Sequence, residues 1–557
     1  MNIINSIKNN SLWYLLPSIT GRGWGVGLLL LAFCFTACRD YLDAEMTDHV
    51  NPQNFYKTDA QIDQAIIGMY NTLMVIPKNR WFLSEVRSDN VWMQQETVSG
   101  ASEICYFLNA DLVSNGQVET AWKEYYKIAA NANAIMEHIY TAHFTSEEMR
   151  DEYVGEVRFI RALVYFDLVR FFGNIPYSTA TFTPESSFAV RQSSAKEVYE
   201  QLIIPDLQCA SEQLRETFVR YNNKTSGTIG RPTQMAAKAL LAEVYVTMIG
   251  YPVMDSSKKE QAKTLLKEVI DYSEANNNKW WAKDINEWNK MWIHENDNKY
   301  YLFEIQADID ANSSQGSTIT PYTVDRSWNS RQYGGNNTMT SGNSYGYPYV
   351  EPGLRQYFTQ KDGSGNLIDQ RAFGTITLTQ PNGGSLSGNV CYFQKFWENK
   401  LKRETFGYED MSGILLNKTS TWPQNFPVIR LENIILYYAE LLGRTEEGLG
   451  YLNRTRTRAG LTAYRQSDFT TDDEYQEAVL DERRYELAEE GHRWFDLVRL
   501  NKWQPVLKNM FTTDGPTTTN PLLVGYADNV LPFTYLYPIP QQQLQVQEGL
   551  YHQNQGY

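Results

Sequence analysis

The sequence has few cysteines and few histidines. Only three of its five cysteines follow residue 38, and they are widely spaced. An odd number of such distant cysteines does not form a disulfide framework. The six histidines include no HExxH motif and no pair at metal-ligand spacing, which excludes the zinc sites that a sequence can reveal. We therefore expect Cys105, Cys209 and Cys391 to be buried apolar residues, and we predict no metal.

The sequence also lacks a hydrophobic run long enough to cross a membrane. Residues 24–37 form the longest apolar stretch and contain two glycines, whereas a spanning helix needs about 20 apolar residues. Lys8 and Arg22 precede the stretch without any acidic residue, as in a secretory signal. The run ends in Phe35, Thr36, Ala37 and Cys38, which resemble a bacterial lipobox with Phe35 in place of the usual leucine.

This pattern predicts a lipoprotein signal peptide over residues 1–37 and a lipid, such as a diacylglyceryl group with palmitate, on Cys38. The mature chain would be tethered to a membrane rather than threaded through it. An ordinary signal peptide with an incidental cysteine is the alternative reading.

Positive charge is scarce. The chain has a net charge of −15, and removal of the leader takes away two basic residues and no acid. Such an acidic body repels nucleic acids and anionic headgroups. The 37 tyrosines and 14 tryptophans suit either a large core or a surface that binds sugars.

Most of the chain has the hydrophobic periodicity of helices. Thr58 or Asp59 can cap a first helix, in which Ile62, Ile66 and Met69 share a face. The arc of apolar residues over 146–172 is wide enough for a helix packed between others. Further helices are predicted over residues 115–140, 146–172, 194–214, 232–249, 257–275, 430–442, 447–458 and 472–501.

The composition changes between about residues 308 and 427, where Gly, Ser, Asn, Thr and Tyr dominate. We predict loops and short strands there, inserted between two helical blocks over about 38–307 and 428–557. The fold class is therefore predominantly α. It is an irregular, tetratricopeptide-like scaffold of helical pairs with a loop-rich insertion, and residues 38–557 form a single domain.

Several blocks resemble one family, the SusD/RagB-like outer-membrane nutrient-binding lipoproteins of the Bacteroidetes. The blocks are GEVRFIRALVYFDLVRFFGNIP, GRPTQMAAKALLAEVYVTM, PVIRLENIILYYAELL, LNRTRTRAGL, DERRYELAEEGHRWFDLVRL and YPIPQQQLQVQEGLYHQNQGY. The last departs from the family at Gln543, where an acid is usual, and at Gln555, where a proline is usual. The order of these blocks is more specific than any one of them.

The resemblance implies a non-enzymatic protein on the outer face of the outer membrane. It would capture a glycan and pass it to a SusC-like TonB-dependent porin, over which it would lie as a lid. It implies no nucleic-acid partner and no cofactor. Some relatives bind a structural calcium, but DGSGNLID at residues 362–369 has Leu367 where an EF-hand loop requires glycine, so a hairpin turn is expected there.

Two segments combine aromatic rings with planar polar side chains, as sugar binding requires. Residues 80–93 contain Trp81, Asp89, Asn90 and Trp92, and Ser88-Asp89-Asn90 resembles the family's sequence. Residues 321–349 contain further tyrosines at 345, 347 and 349, which could instead line the porin interface. The candidate ligand-binding residues are Trp92, Asp89, Asn90, Trp328, Tyr333, Tyr322 and Trp81. Core packing of the tryptophans and turn capping by Asp89 and Asn90 are the competing interpretations.

Two other functions remain open. A glycoside hydrolase would need two carboxylates flanking a sugar, for which Glu85, Asp89 and Asp325 are candidates. A helical-repeat scaffold that binds only proteins would need no sugar site. The charges between Glu482 and Glu490 could be an acid/base site, but their density beside a tryptophan favours an ion network that holds the fold. Helical spacing also allows Asp496 to pair with Arg493 or with Arg499, each three residues away.

Overall fold

Side-chain caps set the beginnings of the main helices in this computed structural model. Thr58, Asn115 and Ser146 each accept a hydrogen bond from a backbone N–H of the first turn, which satisfies donors that the helix itself leaves free. The predicted cap at Thr58 is confirmed, and so are the predicted beginnings of two helices at residues 115 and 146. The structure describes residues 55–93, 100–182, 184–217, 230–293, 299–307, 316–323, 348–378, 391–396, 424–512 and 525–557.

The helices and strands are given in chain order. The helices before residue 300 are α1 Asp59–Thr72, α2 Ile76–Arg80, α3 Ala101–Cys105, α4 Asn109–Leu112, α5 Gly116–Ile139, α6 Glu147–Phe172, α7 Pro184–Ser187, α8 Ala195–Val198, α9 Ile204–Gln213, α10 Gln234–Ile249, α11 Lys259–Ala275 and α12 Ile285–Lys290. Those that follow are α13 Thr320–Thr323, α14 Pro352–Phe358, α15 Ala372–Thr375, α16 Leu431–Leu442, α17 Glu446–Arg458, α18 Asp472–Leu487, α19 Arg493–Arg499, α20 Trp503–Thr512 and α21 Gln541–Val546. The strands are β1 Val91–Met93, β2 Ile175–Pro176, β3 Gln192–Ser193, β4 Tyr301–Ile305, β5 Pro348–Val350 and β6 Phe426–Arg430.

Each long helix packs against the next one in an ordered array. The sequence of neighbours is α1, α5, α6, α9, α10, α11, α16 and α17. Helix α6 lies between α5 and α9 and is buried on all sides from Val154 to Phe172, except at Arg158. This confirms both the predominantly α class and the prediction of a sandwiched helix. None of the helices in the described part of the chain is both long and apolar enough to span a membrane.

The loop-rich region is enclosed by a pair of strands. Strand β4 ends just before it, β6 lies at its other end, and the two strands pair antiparallel, with Ile305 opposite Phe426. Helix α16 follows β6 directly and packs on α11, so the helical array resumes where the insertion leaves it. The pairing supports an insertion at this point, although its first and last residues remain predictions.

Three local predictions are wrong. Pro232 precedes the cap Thr233 of α10 instead of lying in the first helical turn. The helix predicted over residues 472–501 is interrupted between α18 and α19, where Glu489 and Gly491 have positive φ values of 73° and 76°. Cys105 and Cys391 are buried as expected, but Cys209 is only half-buried.

Candidate functional site

A short two-stranded ladder joins the two segments that the sequence selects for sugar binding. Strand β1 ends the first segment, and β5 ends the second. They pair antiparallel, with Trp92 opposite Tyr349. The two rings lie 5.1 Å apart between centroids, and Tyr349 in turn packs on Tyr392 at 5.0 Å. The structure therefore brings together segments that lie far apart in the sequence.

The start of the second segment also contacts the first. The ring of Tyr322 stacks on that of Trp81 at 5.9 Å and meets the edge of Phe82 at 4.7 Å. Both ends of the second segment are thus fixed against residues 80–93. Its middle, which contains Trp328 and Tyr333, lies outside the described residues.

The tryptophans of the first segment lie beneath this aromatic contact. Trp81 is 1% exposed and Trp92 is 4% exposed, whereas Tyr322 is half-buried. The indole Nε1 atoms of Trp81 and Trp92 have no hydrogen-bond partner within the described part of the protein. Buried rings of this size stabilise the surface above them through packing. Direct contact of Trp81 or Trp92 with a ligand remains a prediction.

Asp89 is held by two arginines from the C-terminal helices. Arg493 donates from Nε to Oδ1 at 2.7 Å and from Nη2 to Oδ2 at 2.9 Å, and Arg484 Nη1 lies 3.3 Å from Oδ2. Burial alone would raise the pKa of Asp89, but the two guanidinium groups outweigh it and hold the pKa at about 2. The carboxylate therefore stays ionised and paired.

Asn90 is also engaged within the protein. Its Nδ2 donates to Glu85 Oε1 at 2.8 Å, and its Oδ1 accepts from Arg484 Nε at 2.9 Å. Its carbonyl oxygen accepts the backbone N–H of Glu351 at 2.8 Å. These contacts give Asn90 a structural role at the junction of the two segments, and its contact with a ligand remains a prediction.

Arg484 contacts both the first segment and the residue that follows β5. Besides its two contacts with Asp89 and Asn90 side chains, it donates to the carbonyl oxygen of Asp89, and its Nη2 lies 3.3 Å from Oε2 of Glu351. Glu351 directly follows β5. Sequence reasoning missed this arginine as part of the site. The ERR motif at its position was noticed only as a charge cluster, and the partners of that cluster are distant in the sequence.

The interruption between α18 and α19 supplies the base of the site. The backbone N–H groups of Glu489 and Gly491 donate to the two oxygens of Glu85, at 2.6 and 3.0 Å. Burial raises the pKa of Glu85, although the hydrogen bond from Asn90 and these two from the backbone oppose the rise. The positive φ values at Glu489 and Gly491 place both N–H groups toward one carboxylate. In a continuous helix these N–H groups would instead donate to carbonyl oxygens of the preceding turn.

Two family models of known proteins match this chain, one in its N-terminal half and one at its C-terminal end. Residues 415–557 match a family model described as the SusD family, and residues 40–246 match one described as starch-binding and associating with the outer membrane. The chain belongs to the SusD/RagB-like family.

Its relatives resemble it along nearly their whole length. The SusD-like protein P2 of Formosa agariphila is 25% identical over 96% of this chain and 100% of the relative. A SusD homolog from Bacteroides thetaiotaomicron has a structure with a TM-score of 0.73 at 21% identity, covering 91% of this chain and 98% of that one. A laminarin-binding SusD-like protein gives a TM-score of 0.65 at 22% identity, with 90% and 100% coverage. The likeness to the solved structures shows the shared fold.

The description of the family model that matches residues 40–246 and the name of the laminarin-binding neighbour refer to binding rather than to catalysis. This agrees with the prediction that the chain is not an enzyme. In this SusD-like fold, Glu85 and Asp89 are both engaged in structural contacts, and Asp325 lies outside the described residues. The geometry thus offers no support for the hydrolase alternative.

The charge cluster of the C-terminal block is a buried ion network, as the sequence favoured. The network consists of Asp369, Arg371, Lys395, Arg430, Glu432, Arg458, Glu482, Glu486 and Glu490. Glu486 accepts from Arg458 at 2.7 Å, from Arg371 at 3.0 Å and from the indole of Trp288 at 2.7 Å. Burial alone would raise the pKa of Glu486, but the surrounding cations hold it well below its usual range.

Two sequence-based pairings have different outcomes. Asp496 pairs with Arg499 as expected, at 2.8 Å. Arg493 does not use Asp496, because Asp89 takes its guanidinium, and Asp496 instead binds Arg483 at 2.8 Å. Local spacing on a helix therefore predicted one partner correctly and missed the distant one.

The predicted turn at residues 362–369 is confirmed. The N–H of Asp362 donates to the carbonyl oxygen of Asn366 at 2.8 Å, and Lys361 pairs with Leu367. Asp369 binds Arg371 at 2.7 Å. Within the described ranges, no group of three or more potential ligands is arranged to hold a metal ion.

Proposed function

We propose that this protein is a cell-surface glycan-binding lipoprotein. It captures an oligosaccharide or polysaccharide and delivers it to a SusC-like TonB-dependent transporter in the outer membrane. The observation that carries the proposal is the β1–β5 ladder, which joins the two segments that combine aromatic rings with planar polar side chains.

The described residues on either side of residues 324–347 are held by the first segment. Aromatic stacking holds Tyr322 before them, and the ladder holds Tyr349 after them. We propose that Trp328 and Tyr333, which lie between these two tyrosines in the sequence, form the ring platform for the sugar. In this proposal Tyr322, Trp81, Trp92, Asp89 and Asn90 complete the site. Support for a glycan as the ligand comes from the starch-binding family description and the laminarin-binding neighbour.

The anchor is part of the same proposal. Residues 1–37 act as a lipoprotein signal peptide, and acylation of Cys38 holds the mature single domain, residues 38–557, on the extracellular side of the outer membrane. The match to a model described as associating with the outer membrane supports this location. A scaffold that binds only proteins is the alternative, since a helical array is compatible with either role.

The test is a glycan array and affinity electrophoresis on the wild-type chain, Trp328→Ala and Tyr140→Ala. Tyr140 is 57% exposed at the C-terminal end of α5 and serves as a matched aromatic control. We expect one polysaccharide class to bind and Trp328→Ala to lose at least about tenfold in affinity, as anchoring aromatic residues do. Tyr140→Ala should bind as wild type does.

Equal loss in both variants would indicate a general defect and would remove the assignment to Trp328. Binding that survives in Trp328→Ala would move the site elsewhere on the chain. If the transporter binds while no glycan does, the protein-only scaffold is the correct function.

A further inference from the structure

The most exposed aromatic side chains in the described part of the chain lie at the C-terminal end of α5 and in a loop that is hydrogen-bonded to it. They are Tyr140, Phe182 and Phe188, with exposed fractions of 57%, 46% and 43%. Tyr140 directly follows α5, and the two phenylalanines flank α7 in the loop between β2 and β3. Exposed aromatic residues scattered over a surface need no explanation, but a group at one end marks a contact surface. We call these three residues the aromatic patch.

Hydrogen bonds fasten the loop of the patch to the end of α5. Thr181 donates from its backbone N–H and its hydroxyl to the two oxygens of Glu137, at 2.8 and 2.6 Å. Asn133 Nδ2 donates to the carbonyl oxygens of Ser178 and Ala180, at 3.0 and 3.1 Å. Because the loop is tied at these points, Phe182 is presented from a supported backbone within one turn of Tyr140.

The chain from the proposed lipid anchor enters the fold at this same end. The ring of Tyr56 stacks on that of His138, with centroids 4.8 Å apart, and the N–H of His143 donates to the carbonyl oxygen of Lys57 at 2.8 Å. Only 17 residues separate Cys38 from Tyr56 in the sequence. A chain of that length spans at most about 60 Å when extended and roughly 23 Å as a flexible coil.

We propose that the aromatic patch rests on the lipid surface beside the anchor and orients the body of the protein there. This inference relies on the proposed acylation of Cys38 for its choice of partner. Aromatic rings favour the interfacial region of a bilayer. The acyl chains would hold the protein at the membrane, and the patch would set the orientation of its body there.

The charges around the patch indicate how it would bind. Glu137 and Glu147 lie near Tyr140, with Arg150 5.9 Å from its ring, and the chain as a whole is acidic. Attraction to anionic headgroups therefore cannot drive the contact. Insertion of the rings among the headgroups can, and it should be strongest with zwitterionic lipids.

The experiment uses the proposed mature chain, residues 38–557, with Cys38→Ser, so that neither the apolar leader nor an acyl chain contributes. Flotation with phosphatidylcholine vesicles is measured for this chain and for the same chain carrying Phe182→Ser and Phe188→Ser. The matched control carries Met254→Ser and Ile368→Ser, since those apolar side chains are 67% and 42% exposed elsewhere in the fold. We expect the patch variant to lose vesicle binding by on the order of tenfold, from the lost burial of two rings, and the control to keep it.

Three outcomes would overturn the proposal: flotation that is equal in the patch variant and its parent, loss in the control as well, or binding only to vesicles of anionic phosphatidylglycerol. Self-association of the parent without vesicles, abolished in the patch variant, would identify a second copy of the chain as the partner instead. Thermal unfolding checks that both variants fold. The anchor is tested separately by membrane fractionation of the chain with Cys38 intact, and the glycan site by binding in solution, so each can fail without the others.

Discussion

Trp92 and Tyr349 face each other across the β1–β5 ladder with their ring centroids 5.1 Å apart. This contact is where the two predicted sugar-binding segments meet. A ladder of three residue pairs has little stability of its own, so the packing of its side chains must contribute much of it.

Replacement of Tyr349 by alanine should therefore weaken the junction. We expect the free energy of unfolding to fall by about 3 kcal/mol, since the ring is almost fully buried and leaves a cavity, and glycan affinity to fall with it. Urea unfolding and affinity electrophoresis measure the two effects. Tyr349→Phe keeps the ring and should stay close to wild type. An alanine variant as stable as wild type would show that the junction does not depend on this contact.

Arg484→Met should weaken the junction between the two segments by removing the charged donor that they share. The substitution leaves the oxygens of Asp89, Asn90 and Glu351 without their shared donor. We expect a loss of roughly 2–4 kcal/mol in the free energy of unfolding, because removing one partner of a buried pair strands the other. Faster hydrogen exchange in β1 and β5 should accompany it.

The matched control for that prediction is Arg444→Met, whose partner Asp472 is largely exposed. It should cost less than about 1 kcal/mol. If hydrogen exchange rises equally throughout the chain in Arg484→Met, the arginine supports the whole fold and has no particular role at the junction.

The stability contributed by Asp89 should disappear in acid. Its folded-state pKa of about 2 lies below its ordinary value of 3.8, so the unfolded state takes up protons first as the pH falls. The contribution is fully present above the unfolded pKa and is lost as the pH falls through that of the folded state. We expect Asp89→Asn to be less stable than wild type at pH 7, with the gap narrowing from about pH 5 to pH 2.

Urea unfolding of both proteins across this pH range measures the gap. Asp271→Asn, which alters an exposed pair with Lys267, should show only a small difference throughout. A gap for Asp89→Asn that stays constant down to pH 2 would contradict the assignment of its low pKa to Arg484 and Arg493.

Glu486→Gln distinguishes an ion network from a catalytic carboxylate. The neutral amide would leave Arg371, Arg430 and Arg458 with too little negative charge, at a cost of about 3–5 kcal/mol in stability. Below its unfolding temperature the variant should still bind glycan. Glu474, the exposed third residue of the capping box of α18, offers the control Glu474→Gln, which should change stability only slightly. Release of sugar products by wild type, abolished in Glu486→Gln, would reverse this interpretation.

Cys38→Ser should give a folded protein that does not fractionate with the outer membrane as wild type does. The expected loss follows from removal of the acyl chains, which provide the main hydrophobic attachment in the proposal. Detergent phase partitioning and metabolic labelling with palmitate measure it. Cys209→Ser, at a half-buried position within the fold, is the matched control. A Cys38→Ser chain that still carries label would show that another residue is acylated.

Local chemistry explains which parts of the fold the sequence could predict. Caps such as Thr58 and Ser146 act on N–H groups three residues away, so pattern alone locates them. The interruption between α18 and α19 was missed, because a charged run such as Glu489-Glu490 is also compatible with the exposed face of a helix and because Glu489 adopts a conformation unusual for a residue with a side chain.

The site shows the same limit at longer range. Sequence reasoning selected both segments as candidates for one binding site, but it could not see that they pair through Trp92 and Tyr349. It gave Arg493 a partner three residues away, whereas the true partner, Asp89, is 404 residues away. Contacts between residues so far apart in the sequence depend on tertiary packing, and the spacing of residues along one helix does not predict them.

The hydrogen bonds from Glu489 and Gly491 to Glu85 have a consequence for the order in which the protein folds. They join residues 404 and 406 positions apart, and closing a loop of that size is slow compared with forming the helices inside it. A chain that is exported from its N-terminus exposes Glu85 long before residue 489 follows. Until then, water must solvate the carboxylate, and the aromatic rings of residues 80–93 lack their cover. In the proposed export of the chain, the period of greatest risk of aggregation is thus the interval between the emergence of these two regions.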